Sequence, residues 1–157
     1  MTIESQGQWE KGRRLGCLFR RVADLVAAIE NRPHDFGTGD LLYRAEIHLL
    51  DSIGQQGQAN VTELAELKGV SKAAISRKVA ALEKKELVRR FFRADNRKEV
   101  HFGLTPKGRV AFENHLRFHE RLDRELADQF GDFTAADLDA VARFLEVGER
   151  LLREHAK

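Results

Sequence analysis

One cysteine, Cys17, excludes an internal disulfide framework and fits a reducing, cytoplasmic compartment. No apolar run approaches the ~18 residues needed to span a bilayer, and the N-terminus lacks an apolar segment of the signal-peptide kind. There is no phosphate-cradling glycine loop, no nucleophile elbow and no His-Glu-x-x-His, so the chain does not read as an enzyme. Net charge is also scarce, with 27 basic against 25 acidic residues. That near-neutrality conceals a strong asymmetry. Between Lys68 and Lys98 stand eleven Lys and Arg against three acids, whereas the remainder holds 16 basic and 22 acidic residues. A positive charge gathered in one contiguous segment is the footprint expected for phosphate contact.

The basic segment has helical order. Ser71 can accept from the free amides of a first helical turn, and Ile75, Val79 and Leu82 then recur on one face up to Lys85. Lys72, Ser76, Arg77 and Lys78 fall off that face. Before this helix, Val61 to Val70 predicts a shorter one, with Leu64 and Leu67 on one side and Ala65 at a close crossing. Gly69 supplies the turn. A short helix, a tight turn and a second helix with a polar edge make a helix-turn-helix, whose second helix suits the major groove. Residues 87–93 and 98–104 are two β-prone runs around an Asp-Asn tip, which predicts a hairpin wing with Arg97 poised for a minor groove.

The rest of the chain reads as helix. Residues 1–9 are polar and expected to be loose. A helix is predicted from about Trp9 to Asn31, burying Leu15, Leu18, Val22, Leu25 and Ile29. A loop follows over 31–39. A second helix is predicted from about Asp40 to Ile53, with Leu42, Ala45, Leu49 and Ile53 inward, then a Gln/Gly loop over 54–60. After the wing, Thr105 and Pro106 open a long helix to about Gln129, with Phe112, Leu116, Leu122, Leu126 and Phe130 in one sector. Thr134 and Asp137 open a last helix, lined by Leu138, Val141, Leu145 and Leu152. The fold class expected is mainly α with a small β-hairpin wing.

The run from Thr62 to Arg90, followed by Asp95-Asn96-Arg97-Lys98-Glu99-Val100 and Leu104-Thr105-Pro106-Lys107-Gly108, resembles the MarR family of winged helix-turn-helix transcriptional regulators. The resemblance is good over Leu41 to Leu122. Two positions depart from the family pattern: Lys68 stands where Leu is usual before the turn glycine, and Glu86 where Gly is usual after the recognition helix. A non-Gly residue in a left-handed cap costs about 1 kcal/mol.

The resemblance implies a single domain over 1–157, with 1–35 and 106–157 forming a helical dimerisation region around a DNA-binding lobe at 36–105. It implies a repressor-type homodimer on a pseudo-palindromic double-stranded DNA operator, modulated by an effector. Ser71, Lys72, Ala74, Ser76, Arg77 and Lys78 then meet the major groove. Arg93, Asp95, Arg97 and Lys98 belong to the wing, with Asp95 orienting Arg97. The rival reading is a winged-helix protein-interaction module, which a steep salt dependence of nucleic-acid binding would exclude.

His115 and His119 stand four apart within the apolar sector of the fifth helix, and two such His can share a metal. The family's zinc-sensing branch is similar in carrying a Glu late in the first helix, a His in the second and a His-x-x-x-His in the fifth. Those positions are Glu30, His48, His115 and His119. The branch that controls fatty-acid synthesis looks alike, through Glu46-Ile47-His48 and His115 to His119. A second zinc site is not expected, since Phe36, Ile47 and Asn114 occupy its positions. The alternatives are zinc, a lipophilic, acyl or aromatic ligand in a pocket of Phe36, His48, Phe112, His115, Phe118 and His119, a pH-sensitive latch, or packed His. Cys17 reads as a small helix residue, although single-cysteine redox sensors occur in the family.

Overall fold

The computed structural model describes residues 3–94 and 98–155. Its elements are α1 (Ile3–Glu30), β1 (His34–Asp35), β2 (Leu41–Leu42), α2 (Arg44–Gln56), β3 (Ala59–Asn60), α3 (Val61–Lys68), α4 (Lys72–Lys84), β4 (Val88–Phe92), β5 (Val100–Leu104), α5 (Pro106–Asp128) and α6 (Ala135–His155). The chain is therefore mainly helical with a small antiparallel sheet. It divides into two compact units, the first ending at Leu116 within α5 and the second beginning at Arg117.

The core lies in the first unit. Leu49, Leu50 and Ile53 of α2, Leu64 of α3, and Ile75, Val79 and Leu82 of α4 close on Leu87, Phe102 and Ala111. Burying each large aliphatic side chain contributes roughly 1.5–3 kcal/mol. The sheet has the order β3-β5-β4, and the wing register runs from Val88 opposite Leu104 to Phe92 opposite Val100. Its two long strands fall where the two β-prone runs predict them.

The differences from the sequence reading have local causes. α1 begins at Ile3, where a loose terminus was expected; its first turns are polar and carry no apolar period to read. Leu41 and Leu42 do not open α2 but pair with Asp35 and His34, a two-residue strand inside the expected 31–39 loop. α2 starts after Tyr43, whose amide donates to Glu46 Oε2 at 3.0 Å. Its buried face carries Ile47, Leu49, Leu50 and Ile53, so Leu49 and Ile53 lie inward as expected while Ala45 is exposed. Its last turn continues to Gln56, into the expected Gln/Gly loop. Leu67 points outward while Leu64 and Ala65 are buried.

The stripes of α1, of late α5 and of α6 are exposed rather than buried. Leu25 is 62% exposed, Leu122 51% and Leu152 58%. α6 opens as its sequence indicates. Thr134 N donates to Asp137 Oδ2 at 2.9 Å, and the Thr134 hydroxyl donates to the same oxygen at 2.6 Å. These bonds hold the Asp137 carboxyl below its usual range.

Candidate nucleic-acid interface

Each end of the helix-turn-helix is fixed by a local bond. Asn60 is the N-cap of α3: its Oδ1 accepts from Glu63 N at 2.8 Å, and Glu63 Oε2 accepts from Asn60 N at 2.8 Å. Gly69 closes α3 in the left-handed region, at φ 63°, and Val70 N reaches back to Ala65 O at 3.1 Å. Ser71 Oγ accepts from Ala74 N at 3.2 Å and opens α4. With Ile75, Val79 and Leu82 buried, Ser71, Lys72, Ser76 and Arg77 are exposed along one edge, and Ala74 and Lys78 are half-buried beside it.

The far end of α4 is held by Glu86. It is the one non-glycine residue with positive φ among the described residues, at 59°. Its carbonyl accepts from the Thr105 hydroxyl at 2.6 Å, and the same hydroxyl accepts from Gly108 N at 2.9 Å. The strain foreseen for a side chain at this position is therefore present. Glu86→Gly is expected to raise stability by about 1 kcal/mol, read as a higher Tm with unchanged DNA affinity.

Not every cation of the basic segment is available to phosphate. Arg90 Nε donates to Glu83 Oε1 at 2.7 Å, and this pairing raises the Arg90 pKa. Lys85 Nζ is bonded to Glu46 at 2.7 Å. Lys72, Arg77, Arg93 and Lys98 are exposed along α4 and the wing. Asp95, Asn96 and Arg97, the expected wing tip, lie outside the described residues.

The expected effector residues divide between the two units. In the first, the His48 and His115 rings meet edge to face with centroids 5.2 Å apart, and Phe36 meets His115 at 5.4 Å. His115 is buried, and its Nδ1 lies 3.8 Å from Asp51 Oδ1, a neighbour one helical turn beyond His48 that sequence reasoning missed. Phe112 is half-buried, packed against the core and facing Gly54. Phe118 and His119 belong to the second unit, ring centroids 5.5 Å apart. The Glu30 side chain is outside the described set. Among the described residues no three His, Cys, Asp or Glu side chains are gathered as metal ligands.

A separate cleft of about 560 Å³ opens between α2 and α4 in the first unit. Tyr43, His48 and Leu49 line one side, and Lys68, Val70, Ile75 and Lys78 the other. Of the expected pocket residues only His48 reaches it.

A family model described as MarR family matches residues 42–100. The chain is 34% identical over 100 residues to the HTH-type transcriptional regulator PchR of Bacillus subtilis (strain 168); the match covers 64% of this chain and 59% of that relative, less than two thirds of its length. It is 31% identical over 136 residues to the HTH-type transcriptional regulator YhjH of the same organism, covering 87% of this chain and 73% of that one. The crystal structure of Streptococcus pneumoniae FabT in complex with DNA shares the fold, with a TM-score of 0.74 at 21% identity over 90% of this chain and 97% of that chain. This chain belongs to the MarR family of winged helix-turn-helix transcriptional regulators.

Proposed function

We propose that the protein acts as a homodimeric, repressor-type regulator that reads a pseudo-palindromic double-stranded DNA site. The observation that carries this reading is the exposed edge of α4. Lys72, Ser76 and Arg77 stand there on a helix whose other face is locked into the core. Lys72, Lys78 and the wing cations Arg93 and Lys98 neutralise phosphates, Arg77 reads guanine edges, and Arg97 is assigned to the adjacent minor groove. Ser71, Ala74 and Ser76 approach the groove closely. Residues 36–105 form the DNA-binding lobe, and residues 1–35 and 106–157 the dimerisation region.

The large apolar side chains exposed along α1, and separately along α6, support the dimer, because a helix that leaves its apolar stripe uncovered needs a partner. Changing Val141 and Leu145 of α6 together to Lys is expected to give monomers in sedimentation and to weaken DNA binding at least tenfold. A dimer of wild-type mass would remove α6 from the interface. The effector reading we favour is an organic ligand in the cleft beside His48, a concave space of about 560 Å³ with His48, Lys68 and Lys78 on its walls.

The test is anisotropy titration of a labelled duplex at several salt concentrations. A dimer making ~6–10 phosphate contacts loses roughly 10³–10⁵-fold in affinity between about 50 and 200 mM salt. A flat salt dependence would instead favour a protein-interaction module.

A further inference from the structure

We infer that Lys85 and Glu46 form a positioning pair that sets the orientation of α4 for DNA binding. The inference rests on the assignment of α4 as the recognition helix. Lys85 is the C-terminal cap residue of α4, and its ammonium does not extend into solvent. It donates to both oxygens of Glu46, at 2.7 and 2.8 Å, and to the Leu41 carbonyl at 2.9 Å. All three hydrogens of the ammonium therefore have acceptors. The two side chains are 25% and 13% exposed, so water screens the pair far less than a surface salt bridge.

Glu46 has a second task, because its Oε2 also accepts from Tyr43 N at the start of α2. One carboxylate thus joins the first turn of α2 to the last turn of α4, across 39 residues of chain. On the next residue, the Glu86 carbonyl is held by Thr105 at the start of α5. The C-terminal end of α4 is consequently fastened to α2 through Lys85 and to α5 through Glu86, while its N-terminal half projects the exposed polar edge. Ile75, Val79 and Leu82 seat the buried face of α4 in the core, and the Lys85–Glu46 bond sets how its C-terminal end is held. α2 also carries His48, which lines the cleft against α4, so displacement of α2 reaches the DNA-reading edge through Glu46 and Lys85.

A salt-dependent titration distinguishes an aiming role from phosphate contact and from bulk stability. The probe is the duplex that wild-type protein enriches from a random-sequence library. Lys85→Met and Glu46→Gln are each expected to weaken binding about tenfold, and the double variant no further than either single one. The slope of log affinity against log salt should match wild type, and Lys85→Arg should retain affinity. Glu46→Gln preserves volume and an acceptor for Tyr43, so it remains folded enough to measure.

Wild-type affinity in Glu46→Gln would overturn the proposal. So would a slope shallower by ~0.9 for each lost Lys85 contact, the mark of a phosphate ligand. A lower Tm with unchanged affinity of the folded fraction would reduce the pair to a structural one. Arg77→Ala measured in parallel reports on the helix assignment itself: unchanged affinity there would remove α4 from the groove whatever Lys85 does.

Discussion

Gly108→Ala is expected to cost about 3–4 kcal/mol of folding stability, the largest loss anticipated for a single methyl group in this chain. Helix propensity alone gives the opposite sign, since Ala is favoured over Gly by about 1 kcal/mol inside a helix. Sterics decide. Gly108 lies in the first turns of α5, buried against the end of the helix-turn-helix, and a Cβ there would overlap the Leu87 carbonyl oxygen and sit 2.8 Å from its carbon. Backbone cannot rotate aside as a side chain does. The same carbonyl accepts from Thr105 N at 3.1 Å, so moving it also breaks the start of α5. This gives the Leu-Thr-x-x-Gly motif a physical reason: Thr105 fastens Glu86, and Gly108 lets the helix approach. Thermal or urea unfolding checks it. An Ala variant as stable as wild type would mean that α5 does not pack against Leu87.

Arg77→Ala should act on the opposite quantity. Arg77 is exposed, has a buried face of α4 beneath it, and supports no core contact, so stability should change by less than about 0.5 kcal/mol. A bidentate arginine–guanine contact is worth about 1–3 kcal/mol. The expected loss is therefore roughly 10–100-fold for each half-site, with specificity relaxed at one base pair. Lys72→Ala should instead weaken all sequences alike and reduce the salt slope by ~0.9 per contact. Equal, sequence-independent losses in both variants would place Arg77 on phosphate.

Much of the fold was legible because its signals are local. The Ser71 cap, the turn glycine at 69 and the Thr134–Asp137 cap each depend on residues within four positions of one another, and the Ile75-Val79-Leu82 period on two helical turns. The wing was readable from two β-prone runs around a polar tip. What escaped depends on distant partners or very short elements. β1, β2 and β3 have two residues each, too few to alternate. Of the residues expected inward in the second helix, Leu42, Leu49 and Ile53 are buried; Ala45 is exposed, because α2 starts only after Tyr43 and Leu42 is buried from a ribbon instead. The basic segment was counted as a phosphate surface, yet Lys85 is engaged by a residue 39 positions away and Arg90 by Glu83. No spacing rule reveals such pairs. Of the effector constellation, His48 and His115 were brought together by the family resemblance, and the structure places their rings in contact. The cleft beside Lys78 and the proximity of Asp51 arise only from how α2, α4 and α5 pack.

The most direct measurement is selection of duplexes from a random-sequence library by the wild-type protein, followed by footprinting of the enriched site. A dimer presenting two α4 helices should enrich a pseudo-palindrome with half-sites about 10–10.5 base pairs apart, centre to centre. Protection should disappear in Arg77→Ala. Enrichment of no sequence, or of a single asymmetric site bound by one chain, would contradict the account.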